Sequence, residues 1–375
     1  MIEYIRTLVA PAFRLAGPVI AIAPLGEGLI NPTFRVRTRG TNGRVGRYVI
    51  QAINHQVFPR PDSLMANLTR VLTHLARKMG PEGADPRRVL SLIPTRDGDT
   101  TWTDSEGRSW RGFLFIEDSL TLQSVTDPKL AYEAGRAFGH FVHQLADLPP
   151  PRLHEHLPGF HDTPARLRAL RECAEANPMG RAGKAAPELD RIFAREDTVT
   201  LLARAQAEGT LPERPVHNDT KINNLLFDHR ADQALCVIDL DTVMPGLALH
   251  DFGDLVRSAA ASRPEGSGSG RLRLSLFEGL LRGWVTGMGP LLTQGEAELL
   301  AAAPRVITLE LTMRFLTDHL AGDHYFKTDR PGQNLDRCRT QLGLLDSMEE
   351  QADAMERLVR ETVRDRLRQG LCVPQ

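Results

Sequence analysis

Residues 215–228 read PVHNDTKINNLLFD, and shortly after them residues 236–246 read CVIDLDTVMPG. The skeleton is His217-x-Asp219-x-Lys221-x-x-Asn224, followed by Asp239 on an apolar stretch that reads as a strand. Transfer of a phosphoryl group needs a carboxylate near the attacking hydroxyl, an amide and a carboxylate for Mg²⁺, and a cation against the phosphates. Asp219 is the candidate base, Lys221 the contact to the γ-phosphate, and Asn224 and Asp239 the metal ligands. Hard oxygen donors of this kind suit Mg²⁺, which keeps waters and binds through a few side chains plus phosphate. Asp241, on the expected strand face of Asp239, is a further candidate for metal contact. The literal Asp251-Phe252-Gly253 lies 32 residues beyond Asp219, past the apolar strand and beside an expected helix start. Asp251 is therefore expected to cap a helix or brace a loop.

Outward from this segment, the first third of the chain alternates apolar and polar residues as strands do. Strands are expected over 19–25, 34–38, 47–53, 89–93 and 110–116, with Asn42-Gly43 as a hairpin turn and a short β piece over 101–103 facing 110–116 around the turn 104–107. One helix is expected over 62–79, where Leu64, Leu68, Val71, Leu72 and Leu75 recur at helical spacing. After Asp118 the pattern turns helical, with helices expected over 130–145, 163–175, 187–207, 272–288, 296–320 and 335–368. The fold class is α+β: a small five-stranded antiparallel N-terminal lobe with one helix, over 1–117, and a larger helical lobe, over 118–375.

The 375 residues carry 46 basic and 47 acidic side chains, a near balance that argues against binding nucleic acid or an anionic membrane. Four scattered cysteines, with no CxxC pair, suggest neither a disulfide scaffold nor a zinc ribbon and fit a cytoplasmic setting. No run of eighteen apolar residues occurs, so no membrane span is expected. Only five of the basic residues are lysines: Lys78, Lys129, Lys184, Lys221 and Lys327.

The ordered set HNDTKINN…VIDLDTVMPG resembles the aminoglycoside phosphotransferase and choline kinase superfamily, which has the bilobal protein-kinase-like fold. Within it the likeness runs to the N-acetylhexosamine 1-kinases and extends to the GEGLIN turn, YVIQAINHQVF, WRGFLFIEDS and RFLTDHLAGDHYFK. The resemblance implies an ATP- and Mg²⁺-dependent kinase making a sugar 1-phosphate, acting on a small sugar as a monomer or weak homo-oligomer. Gly26, Gly28 and Asn31 lie in the turn that approaches nucleotide phosphates, and Ile116 and Asp118 lie at the lobe junction where adenine docks. The third strand departs from the pattern. Gln51 stands where a lysine is expected, the helix over 62–79 has no glutamate to pair with it, and Arg47 is the charged residue on the same strand face.

Glu310, Arg314 and Asp318 recur every four residues and share a helix face, read as a polar strip along the substrate cleft. Arg314 and Tyr325 match sugar-contacting positions as the resemblance implies. Three Trp and four Tyr, dispersed along the chain, do not make the aromatic cage a choline pocket needs. The alternatives are a kinase for another sugar or small alcohol, of aminoglycoside, choline or homoserine type, and a non-catalytic pseudokinase.

Overall fold

The computed structural model describes residues 1–26, 30–79, 85–230, 232–263 and 266–368. The chain divides into two units, Met1–Ser119 with Leu148–Leu157, and Leu120–Asp147 with Pro158–Gln375.

In the first unit, strands β1 (Val19–Pro24), β2 (Thr33–Arg39) and β3 (Val45–Ala52) form where side chains alternate. On β2, Phe34, Val36 and Thr38 are buried while Arg35, Arg37 and Arg39 are exposed. Gly43, at φ 77°, supplies the left-handed backbone of the β2–β3 hairpin. Strands β4 (Leu92–Ile93), β5 (Trp102–Thr103) and β6 (Ser109–Leu114) complete an antiparallel sheet in the order β1-β2-β3-β6-β4, with β5 on β6. The sheet thus has six strands rather than the expected five, because Trp102 and Thr103 pair with Trp110 and Ser109. Helix α1 (Pro61–Met79) buries the apolar face read from its sequence. The N-terminal stretch is helical (Ile2–Tyr4, Ile5–Val9, Ala10–Ala12), and its Ile5 and Val9 join Phe34, Ile50 and Trp110 in one core.

The second unit is built of α2 (Pro128–Leu145), α3 (Thr163–Ala176), α4 (Ala186–Phe193), α5 (Glu196–Ala207), α6 (Ala248–Ala259), α7 (Leu274–Met288), α8 (Gln294–Leu299), α9 (Ala303–Ala321), α10 (Gln333–Glu350) and α11 (Ala352–Arg368). Three of the long helices expected from periodicity are each two helices. Pro304 in the first turn of α9, for instance, marks a new start, since its missing N–H suits that position. Strands β7 (Ser119–Thr121), β8 (Arg214–Val216), β9 (Leu225–Asp228), β10 (Ala234–Val237) and β11 (Met244–Gly246) form two small sheets, β10-β9-β7 and β11-β8.

Helices α2 and α7 touch backbone to backbone. A Cβ on Gly135 would lie 2.1 Å from the Leu280 carbonyl oxygen, and one on Gly283 would lie 2.0 Å from that of Tyr132. This closeness draws α2 into the core, where Phe138 and Phe141 pack at 5.7 Å from the His217 ring. Among the described residues no helix is long and apolar enough to cross a membrane, and Cys173, Cys236 and Cys338 form no disulfide.

Candidate active site

Strand β8 delivers the chain to His217, which is fully buried. Its Nε2 donates to the Ile238 carbonyl at 2.9 Å and its Nδ1 accepts the Asp219 backbone N–H at 3.2 Å. Those partners define a neutral ring protonated on Nε2, and burial lowers its pKa in the same sense. Asn218 between them takes φ 63°, a left-handed conformation that asparagine tolerates better than most residues.

Asp219 is reached by two side chains from the short 3₁₀ turn that follows. The Asn224 amide donates to the Asp219 carbonyl oxygen at 2.8 Å and to its Oδ2 at 3.0 Å, and Lys221 Nζ lies 3.1 Å from the same Oδ2. Burial acts to raise the carboxyl pKa, but the Lys221 charge, with the hydrogen bonds from Lys221 and Asn224, outweighs it and holds Asp219 ionised. The Asp219 charge in turn raises Lys221, with Asp239 and Asp254 adding to it against desolvation.

Asp239 is brought beside Asn224 by strand register. Val237 pairs with Leu225, and Ile238 N–H donates to the Asn224 carbonyl at 2.9 Å. Strand β10 ends at Val237, so Asp239 is not on a strand as the sequence suggested. It is exposed, at φ 59°, and starts the 3₁₀ turn Leu240–Thr242. A residue held in this sparsely populated region costs about 1 kcal/mol or more and persists only where its surroundings fix it. Asp241 lies inside that turn and is 3% exposed, so the shared strand face expected for Asp239 and Asp241 does not form.

Asn224 spends its amide nitrogen on Asp219, which leaves its Oδ1 as the oxygen donor available beside Asp239. An amide oxygen and a carboxylate are hard donors of the kind that suits Mg²⁺ completed by water and phosphate oxygens.

Asp251 braces this loop from α6. Its carboxylate accepts the backbone N–H groups of His217 and Asn218 at 2.8 and 2.7 Å, and Thr220 Oγ1 donates to its carbonyl at 2.5 Å. Burial, against those hydrogen bonds, pushes its pKa up to about 7. The Asp251-Phe252-Gly253 triplet is helical and buried.

In the first unit, Gly26 takes φ 71° at the end of β1, while Gly28 lies outside the described residues. Asn31 is buried and its Oδ1 accepts the Asn54 N–H at 2.9 Å, tying the β1–β2 turn to the chain leaving β3. Gln51 Nε2 donates to Thr33 Oγ1 at 2.9 Å, and its Oε1 accepts Arg111 Nε and Nη2 at 3.1 and 3.0 Å. Arg111 faces Gln51 across β3–β6, is 2% exposed, and lies over the Phe113 ring at 5.3 Å. Periodicity did not reveal this buried guanidinium, although an arginine inside an apolar strand was the available signal. Arg47 is paired with Glu117 at 2.8 Å. Ile116 is buried and its carbonyl accepts Ser119 Oγ at 2.8 Å; Asp118 is exposed, with φ 50°.

The four residues proposed for substrate separate. Arg314 Nη2 lies 3.2 Å from Tyr325 Oη, and its guanidinium sits over the rings of Phe160, Tyr325 and Phe326 at 5.5, 5.5 and 5.6 Å. Tyr325 is 59% exposed. Glu310 and Asp318 do not extend a polar strip, since both are buried and bonded internally. Glu310 binds His161 and Thr163, while Asp318 accepts the N–H groups of His324, Tyr325 and Phe326 at 2.9, 2.8 and 2.9 Å. Asp318 therefore holds the Tyr325 backbone one helical turn from Arg314. His161, in the turn before α3, is also part of this buried network.

Comparison with known proteins places these features in context. The model of the phosphotransferase enzyme family matches residues 21–288. Among solved structures, a microcompartment-associated aminopropanol kinase aligns with TM-score 0.61 at 18% identity, covering 93% of this chain and 98% of its own. An aminoglycoside phosphotransferase from Alicyclobacillus acidocaldarius gives 0.62 at 13% identity, covering 94% and 95%. The amicoumacin kinase hAmiN, in complex with AMP-PNP, Ca²⁺ and Ami, gives 0.57 at 10%, covering 89% and 91%. These likenesses show a shared mixed helix-and-sheet fold.

Proposed function

The chain belongs to the phosphotransferase enzyme family, and from that premise we propose that it is an ATP- and Mg²⁺-dependent kinase for the anomeric hydroxyl of an N-acetylhexosamine, N-acetylglucosamine or N-acetylgalactosamine, giving the sugar 1-phosphate. The observation that carries the kinase reading is the Asp219 carboxylate, kept ionised and oriented by Asn224 and Lys221. Asp219 accepts or orients the proton of the attacking hydroxyl, work typically worth about 10²–10⁴-fold in rate. Lys221 offsets charge on the transferred group. Asn224 Oδ1 and the Asp239 carboxylate would hold Mg²⁺, which supplies charge neutralisation on the phosphoryl oxygens. Gly26, Gly28, Asn31, Gln51, Ile116 and Asp118 are assigned to the nucleotide, with Arg111 the fixed cation beside Gln51.

The acceptor assignment rests on the sequence resemblance and on Arg314. Its guanidinium already covers the three aromatic faces around it. A cationic acceptor such as choline, ethanolamine, aminopropanol or an aminoglycoside would meet like charge there, whereas a neutral hydroxyl-rich sugar meets hydrogen-bond donors and an exposed tyrosine ring. Asp318 serves this surface by holding the backbone of Tyr325, whereas Glu310 turns to His161 and Thr163. The assignment is tested by ADP release from Mg-ATP against N-acetylglucosamine, N-acetylgalactosamine, glucose, galactose and choline, with the phosphate located by ³¹P NMR. Preferred turnover of an N-acetylhexosamine with an anomeric phosphate supports it; preferred turnover of choline, or phosphate on another hydroxyl, overturns it.

A further inference from the structure

The peptide that joins Asn218 to Asp219 is gripped at both ends by imidazoles. Its N–H donates to His217 Nδ1 at 3.2 Å, and its carbonyl oxygen lies 3.0 Å from His161 Nε2. A carbonyl oxygen only accepts, so His161 Nε2 carries a proton. The other ring nitrogen, Nδ1, lies 2.8 Å from Glu310 Oε1, whose second oxygen accepts the Thr163 hydroxyl at 2.6 Å. Both nitrogens of His161 thus face acceptors, which is the bonding of an imidazolium against a carboxylate. The pair is nearly sealed, with side chains 9% and 2% exposed.

We propose that His161 is a positioning residue for Asp219: as an imidazolium held by Glu310, it fixes the peptide from which the Asp219 side chain projects. This rests on the reading of Asp219 as the group that handles the acceptor proton. The rest of Asn218 is fixed independently. Its N–H is held by Asp251, and its side-chain amide donates to the carbonyls of Thr242 and Met244 at 3.0 and 3.4 Å. His161 supplies the remaining contact, the one on the carbonyl.

The surroundings favour the charged ring. Burial opposes it, but Glu310, the Asn218 carbonyl and Asp254 raise its pKa on balance, and Glu310 is lowered to about 2. Facing the pair are His250, Asp251 and Asp254 from α6, Arg314 from α9, and Arg166 and Thr163 from α3. His250, whose ring lies tilted 4.7 Å from that of His161, is driven to about 3 by burial and then by His161, and stays neutral. Arg314 and Arg166 bear on Glu310 and favour its ionised form.

Two measurements test the proposal. In ¹⁵N-labelled wild-type protein the His161 ring, assigned by its absence from His161→Gln, is expected to carry protons on both nitrogens at about pH 7; a neutral ring overturns the proposal. In steady-state kinetics Glu310→Gln is expected to lower kcat at about pH 8 by roughly ten- to a hundredfold, the scale of a misplaced reacting group. KM for nucleotide and acceptor should change less than about twofold, and the loss should shrink towards pH 6 as the weakened histidine regains its proton. A loss independent of pH, or none, overturns it. If Glu310→Gln does not fold, Thr163→Val removes one hydrogen bond from the same carboxylate and is expected to move the alkaline limb of kcat in the same direction; an unmoved limb overturns the proposal. Wild-type protein inactive on every acceptor would instead sink the kinase reading, and the NMR measurement separates that failure from this one.

Discussion

The side-chain amide of Asn224 holds Asp219 twice, at its carbonyl oxygen and at its Oδ2. One residue therefore orients the candidate base and, in the proposed reading, would offer its own Oδ1 to a metal. Asn224→Ala removes both functions together. It is expected to raise the Mg²⁺ concentration for half-maximal rate and to lower kcat, with the fold intact. A Mg²⁺ titration of ADP release checks this, and a kcat loss with unchanged Mg²⁺ dependence would remove Asn224 from the metal.

Asp251 touches no reacting group in this account, yet its carboxylate satisfies two buried backbone N–H groups at His217 and Asn218. Asp251→Ala leaves both without their acceptor, at about 1–3 kcal/mol each. A fall in Tm is expected together with a lower kcat, read by thermal denaturation and by assay well below the new Tm. Unchanged Tm would contradict the bracing role.

Gln51 is the place where a kinase-like sheet is expected to carry lysine, but Arg111 already fills the neighbouring position at 3.0 Å. Gln51→Lys puts two cations side by side across β3–β6 at a half-buried position and is expected to destabilise the protein by about 1–3 kcal/mol. Combining it with Arg111→Met should recover much of that loss. Denaturant midpoints for the single and double variants test the coupling; additive effects would contradict it.

The His161–Glu310 pair gives a pH dependence with a definite sign. His161 is raised above its ordinary 6.5, so its stabilisation is complete below 6.5 and lost as pH rises through the folded value. Glu310 is lowered from 4.5 to about 2, so its stabilisation is complete above 4.5 and lost as pH falls through about 2. The Tm difference between wild type and Glu310→Gln is expected to peak between those ordinary values and narrow at alkaline pH. A difference that widens above pH 8 would show that the pair does not titrate this way.

Much of this site was legible in the sequence because its residues lie close together along the chain. Asp219, Lys221 and Asn224 fall within six residues, and the turns between β8 and β9 bring them to one carboxylate. The place of Asp239 at the end of the apolar run was legible but not its conformation, because an apolar run does not announce where β10 stops. The α9 strip failed differently. Four-residue spacing correctly put Glu310, Arg314 and Asp318 on one helix face, but the burial of that face depends on His161, Thr163 and the chain after α9, which are remote in sequence. Arg111 was missed because strand alternation is read from apolar residues, and the partner that accommodates its charge sits on another strand. The sixth strand lies in the piece 101–103 that the turn 104–107 set against 110–116, whereas the N-terminal helical stretch rests on pieces of three to five residues, too short for periodicity to register.

The central claim is that Asp219 handles the acceptor proton in phosphoryl transfer. Its most direct test is ADP release by Asp219→Asn with Mg-ATP and an N-acetylhexosamine, beside wild type and with Tm measured on both. Asparagine keeps the size of the side chain and removes the charge that accepts the proton. The account predicts a kcat loss of about 10²–10⁴-fold in a folded protein whose nucleotide affinity is little changed. Turnover near the wild-type rate in that variant would contradict it.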